Sequence, residues 1–149
     1  MIETFPSGSE NEVPSTALLE RILAHAAQVE IIEAPPDETD RDGAVGTIVS
    51  GPEIAELARL LAVVDGGTGD QCRCLGWPTI MVRDAYGHQI ARWTLHHQTG
   101  IRGLGNCDAE LRDAPTLTEW LAEHGLTRSR EIQNILARRR DEAEQRRTA

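Results

Sequence analysis

Thr79-Ile80-Met81-Val82-Arg83, Asp84-Ala85-Tyr86-Gly87-His88 and Gln89-Ile90-Ala91-Arg92-Trp93-Thr94-Leu95-His96 read as strand, turn and strand, and this hairpin decides the fold. The flanking runs are rich in β-branched and aromatic residues, and glycine in the turn supplies a positive φ. Side chains alternate along a strand, so Ala91, Trp93, Leu95 and His97 share one face and Arg92, Thr94 and His96 the other. The apolar face meets the core. The alternation therefore places His96 towards solvent and His97 at the rim of the buried face.

Upstream, Val29-Glu30-Ile31-Ile32 and Val45-Gly46-Thr47-Ile48-Val49 are further candidate strands, and Ile101-Arg102-Gly103-Leu104 is another downstream. Between the first two, residues 33–43 hold Pro35-Pro36 and five acids and read as a loop. Leu18, Leu19, Ile22, Leu23 and Ala26 form one helical stripe from Ser15 onward. Ser50-Gly51-Pro52-Glu53 matches a capping box ahead of Ile54, Leu57, Ala58 and Leu61, predicting a helix over about 52–64. Thr116-Leu117-Thr118-Glu119 matches a second, with Leu117, Trp120 and Leu121 as the buried stripe and Gly125 as the stop. A last helix over about 129–146 has only Ile132, Ile135 and Leu136 to bury, and its second half is polar all round.

These elements define an α+β chain, a small and mainly antiparallel sheet packed against helices. The expected organisation is a flexible tail over 1–14, one α+β domain over 15–126 and a C-terminal helical arm over 127–149. At 149 residues a single core is enough, and with an aromatic fraction of 3% it must be built from Leu, Ile, Val and Ala. Lysine is absent, so all fifteen basic residues are arginine. Residues 1–71 hold 14 acids against 3 arginines and residues 72–149 hold 10 against 12, which gives −11 and +2 and sums to the net −9. So acidic a chain lacks the concentrated basic surface that general nucleic-acid binding needs. No window approaches the roughly 18 apolar residues of a membrane span, and the N-terminus has no signal-peptide pattern, which together predict a cytoplasmic protein. Three cysteines is an odd count and argues against a closed disulfide framework.

All three cysteines and three of the five histidines fall between residues 71 and 107. Cys72 and Cys74 on a strand would face the same way with Cα atoms about 6.5–7 Å apart. Together with His97 and Cys107 they make a candidate zinc site, although the spacing departs from the usual knuckle pairs. Such a pair more often serves as small half-buried core residues. His96 and His97 are candidates for a general base, with Arg102 to steady an anion. Alternatively the histidines simply end a strand and Arg102 pairs with Asp108 or Glu110. No Gly-x-Ser-x-Gly elbow, His-Glu-x-x-His pair, dinucleotide fingerprint or phosphate-binding loop is present.

Cys72-x-Cys74-x-Gly76, then Ile80-Met81-Val82, Asp84, Gly87, Leu95-His96-His97, Ile101-Arg102, Asp108-Ala109-x-Leu111 and Trp120-Leu121-x-x-x-Gly125 resemble the pattern of an uncharacterised bacterial protein family common in actinobacteria. The likeness covers about residues 50–125 and implies one compact unit, with no activity to carry over. Trp77-Pro78 depart from it, standing where the pattern favours a polar pair. With no complete reaction centre, the sequence points to a non-enzymatic interaction module, an adaptor, regulator or immunity-type partner, that binds a protein or a second copy of itself and holds zinc if the thiols are ligands. The alternative is a small metal- or histidine-dependent hydrolase built on Cys72, Cys74, His96, His97 and Arg102. Such a site needs a carboxylate near its histidines, and Asp108 is the close candidate.

Overall fold

A computed structural model describes residues 11–69 and 75–148. It shows an α+β fold with six strands in one sheet, in the order β2-β1-β3-β4-β5-β6, every neighbour antiparallel. The strands are β1 (Gln28–Ile32), β2 (Gly46–Ser50), β3 (Thr79–Arg83), β4 (Gln89–His96), β5 (Gly100–Arg102) and β6 (Ala109–Glu110). The helices are α1 (Thr16–Leu23), α2 (Pro52–Leu60), α3 (Ala114–Glu123) and α4 (Arg128–Thr148).

The hairpin forms as its sequence dictates. Asp84 Oδ1 accepts from the amides of Tyr86 and His88, both at 2.9 Å, and Gly87 takes φ +83°. Pairing runs Ile80 to Trp93 and Val82 to Ala91, then shifts so that Gln89 opposes Arg83. Ile90 is thus the extra residue of a bulge, and beyond it Ala91, Trp93 and Leu95 alternate onto one face. Across the sheet Val49, Val29 and Val82 line up on that face, as do Ile31, Ile80 and Trp93, and then Leu95, Ile101 and Ala109. Against them α1 buries Leu18, Leu19, Ile22 and Leu23, α2 buries Ile54 and Leu57, and α3 buries Leu117, Trp120 and Leu121. Aliphatic side chains and two tryptophans fill this core, as the composition requires.

Helix starts divide into one that was legible and two that were not. Ser15 caps α1, its hydroxyl accepting from Leu18 N at 3.0 Å. Ser50 caps nothing, because it is the last residue of β2 and Gly51 at φ +59° precedes the helix instead. α3 starts before the Thr116 box: Asp113 is its cap, accepting from Thr116 N at 3.3 Å and from the Thr116 hydroxyl at 2.6 Å. α2 stops at Leu60 rather than near 64, since Val63 bridges to Leu111 and Arg112 N donates to Ala62 O at 2.9 Å. A sheet-edge pairing has replaced the last helical turn. The strand expected over 101–104 is β5, one residue earlier and shorter.

Part of the expected tail is held. Asn106 N donates to Glu12 O at 2.9 Å, Gly66 N donates to Pro14 O at 3.0 Å, and Pro14 is buried. At the other end α4 runs 21 residues, about 32 Å at 1.5 Å per residue. Its first turns are anchored through buried Ser129 and Gln133, with Leu126 buried just ahead of it. From Arg138 to Thr148 every residue is exposed except half-buried Ala143. Among the described residues no helix is long and apolar enough to cross a membrane.

Candidate functional site

β4 and β5 pair Thr94 with Arg102 and His96 with Gly100, so His96 and Arg102 sit on the sheet face opposite the core. Asp108, immediately before β6, comes to the same place. Arg102 Nε donates to Asp108 Oδ1 at 3.0 Å and its terminal nitrogen to Oδ2 at 2.9 Å, a fork on one carboxylate. His96 Nδ1 lies 3.6 Å from Asp108 Oδ2. The Asp108 side chain is 5% exposed, and its main-chain oxygen accepts from Thr68 N at 2.8 Å and from the Thr68 hydroxyl at 3.2 Å. Of the two pairings open to Arg102, the one with Asp108 is therefore made. A guanidinium presenting two parallel donors neutralises the carboxylate where water is scarce.

His96 keeps the face that alternation gives it, but the exposures of the two histidines are the reverse of the expectation. β4 ends at His96, whose side chain is only 17% exposed, whereas His97 is exposed. His97 and Gln98 both take left-handed backbone, at φ +52° and +62°. That turn breaks the strand, so the rule that neighbours face oppositely no longer applies. The two imidazoles lie side by side with centroids 4.0 Å apart.

The same turn buries Gln98, which sequence reasoning missed. Its side-chain amide donates to Trp77 O at 2.8 Å, and its main-chain oxygen accepts from Gln133 Nε2 of α4 at 2.6 Å. Trp77, joined to Pro78 by a cis peptide bond, carries the Arg128 guanidinium 5.1 Å from its ring centroid. Next to it Gly76 has φ +75°, and a Cβ there would come within 2.7 Å of Leu95 O and 2.9 Å of Thr94 Oγ1. Only glycine lets this segment lie so close to β4.

Of the four expected zinc ligands, Cys72 and Cys74 lie outside the described residues. Cys107 is half-buried against Gly67, and a Cβ on that glycine would sit 2.5 Å from the thiol sulfur. His97 is in the turn after β4. Among the described residues no three His, Cys, Asp or Glu side chains are grouped so as to hold a metal ion. The catalytic candidates His96, His97 and Arg102 are brought together, with Asp108 as their carboxylate. A cavity of about 250 Å³ opens beside them, reached by Thr68, His96, Thr99 and Asp108.

A second polar contact ties two helices of the body together. His124 Nε2 meets Glu53 Oε2 at 3.0 Å while Nδ1 donates to Trp120 O at 2.8 Å, the ring stacked on Trp120 at 3.9 Å. Burial lowers the His124 pKa, and the bonds to Glu53 and Trp120 with the charges of Glu53 and Glu56 outweigh it, so the net direction is upward from 6.5.

Comparison with protein-family models, curated proteins and solved structures finds no match to this chain. The family resemblance therefore rests on the quoted residues alone.

Proposed function

We propose that the protein is a non-enzymatic interaction module whose contact element is the distal half of α4. The observation that carries this reading is the exposure of residues 138–148 along one continuous helix. A helical segment that buries almost nothing draws little stability from the fold, and helices of this length are marginal on their own. What the segment offers is a presented surface. It carries Arg138, Arg139, Arg140, Arg146 and Arg147 against Asp141, Glu142 and Glu144, a net positive stretch on a chain of net charge −9. An acidic protein surface is the complementary partner, and residues 33–42 of a second copy supply one. Deleting residues 138–149 tests this: the domain should fold as before and lose its association with the partner or with itself.

A structural zinc on Cys72, Cys74, His97 and Cys107 belongs to the same proposal. Protein purified without a histidine tag should then contain about one equivalent of zinc and lose thermal stability with a chelator. Three titratable thiols in native metal-free protein, unchanged by added zinc, would remove the metal from the account.

The approach of His96 to Asp108 favours a second reading, a small histidine-dependent hydrolase in which His96 is the general base and Arg102 holds the Asp108 carboxylate beside it. Turnover of an ester or phosphoester panel, lost in His96→Ala, would favour it over the interaction module.

A further inference from the structure

The two edges of the sheet are finished differently. β6 is covered by residues 63–64, where Val63 bridges to Leu111 and Val64 N donates to Glu110 O at 2.8 Å. β2, at the other end of the order, has a neighbouring strand on one side only. Glu33 N donates to Val45 O at 2.8 Å, and this fixes the alternation of the ladder: Thr47 and Val49 turn their main-chain groups towards β1. The amides and carbonyls of Gly46, Ile48 and Ser50 therefore point away from the sheet, and they have no hydrogen-bond partner among the described residues. Proteins usually guard such an edge with charge, proline or a bulge. Gly46-Thr47-Ile48-Val49-Ser50 has none of these, and its register with β1 is unbroken over all five residues. At its centre Ile48 is 58% exposed, one of the few large apolar side chains left in the open.

We propose that β2 is an interface on which a second copy of the chain pairs edge to edge, antiparallel about a two-fold axis at Ile48. The occupant follows from the strand itself, because a two-fold contact needs a surface complementary to itself. About Ile48, Gly46 faces Ser50 of the second copy and Ile48 faces its own counterpart. Every outward donor then meets an outward acceptor, and about six hydrogen bonds form. On the face opposite the core the two Ile48 side chains become neighbours. On the core face Thr47 stands across from Val49, and such β-branched pairs suit adjacent strands. An uncharged strand meets its own copy with no like-charge repulsion between the two. One strand per copy falls at the small end of the roughly 1,200–2,000 Å² that specific complexes bury, so the dimer is weak, with Kd on the order of 10–100 μM. The inference does not depend on what the distal half of α4 contacts: main-chain pairing around an apolar side chain is insensitive to salt, whereas contacts between exposed charges are screened by it.

The test is amide hydrogen exchange of the full chain, read residue by residue by NMR at about 20 μM and about 1 mM, on either side of the expected Kd. Gly46, Ile48 and Ser50 should exchange about fivefold more slowly at the high concentration than at the low, while Thr47 and Val49 stay protected at both. Ile48→Lys changes an exposed side chain and leaves the ladder with β1 intact. It should remove the concentration dependence, because pairing would bring two ammonium groups side by side. A chain ending at Ala137 should keep it. Outward amides that exchange freely at both concentrations would leave the edge to a foreign strand, and amides protected equally at both would give it to a segment of the same chain. Either result overturns the proposal. So would a concentration dependence that survives Ile48→Lys, or one lost in the chain ending at Ala137, which would assign the association to α4 instead.

Discussion

α3 and α4 follow one another across residues 124–127 and are held by different physics. α3 buries Ala114, Leu117, Thr118, Trp120 and Leu121 within ten residues, an apolar stripe pressed on the sheet. α4 buries only Ser129 and Gln133 within twenty-one, and its anchorage is polar: Gln133 to Gln98 O, the Arg128 amide to Glu33 at 2.9 Å, and Arg128 over Trp77. The first helix is part of the fold's stability. The second is fastened at one end and displayed at the other. A difference of this kind is open to mutation, because apolar burial and surface charge contribute on different scales.

The largest effects belong to the core. Trp93 is 1% exposed at the centre of the sheet and Trp120 is 4% exposed on α3, so replacing either by Ala should cost about 3–5 kcal/mol in denaturant unfolding. Wild-type stability in Trp120→Ala would show that α3 is not held by its stripe. Next comes the polar network on the other sheet face. Asp108→Asn keeps the shape but leaves Arg102 and His96 beside a neutral group, and should cost about 3 kcal/mol, as removal of one buried partner does. A change within experimental error would mean that water already screens the pair.

The contact between α2 and α3 is smaller and depends on pH. Because the folded pKa of His124 is raised above 6.5, its contribution is fully present below that value and is lost as pH rises through the folded pKa. Glu53 is half-exposed, so the effect stays under about 1 kcal/mol. Glu53→Gln should flatten this slope in a series of melts across neutral pH. An unchanged slope would assign it to another group.

How much of this was legible in the chain follows the same division. The hairpin and the stripe of α1 could be read because alternation, turn glycine and Ser15 all agree. Asp113 was hidden by the Thr116-Leu117-Thr118-Glu119 box, which imitates a helix start one turn inside a helix already begun. The end of α2 was lost to a tertiary pairing of Val63 with Leu111, which no local pattern announces. In the candidate site, Asp108 could be named as partner of Arg102 from proximity in sequence. The exposure of His97 and the partial burial of His96 could not, since two consecutive non-glycine residues at positive φ carry no signature. Gln98 and Gln133 were invisible for a related reason, as buried amides look like surface ones until the fold brings them together.

Removing α4 beyond its anchored turns should have the smallest effect on stability and the largest on association. Sedimentation velocity of the full chain and of a chain ending at Ala137, each at low and high salt, measures this directly. The account predicts equal melting temperatures for the two chains, together with a self-associated or partner-bound species that only the full chain forms. That species should dissociate as ionic strength rises and the Debye length falls below about 8 Å. A truncated chain that unfolds, or that assembles like the full one at both salt concentrations, would contradict the assignment of the distal half of α4 as the contact element.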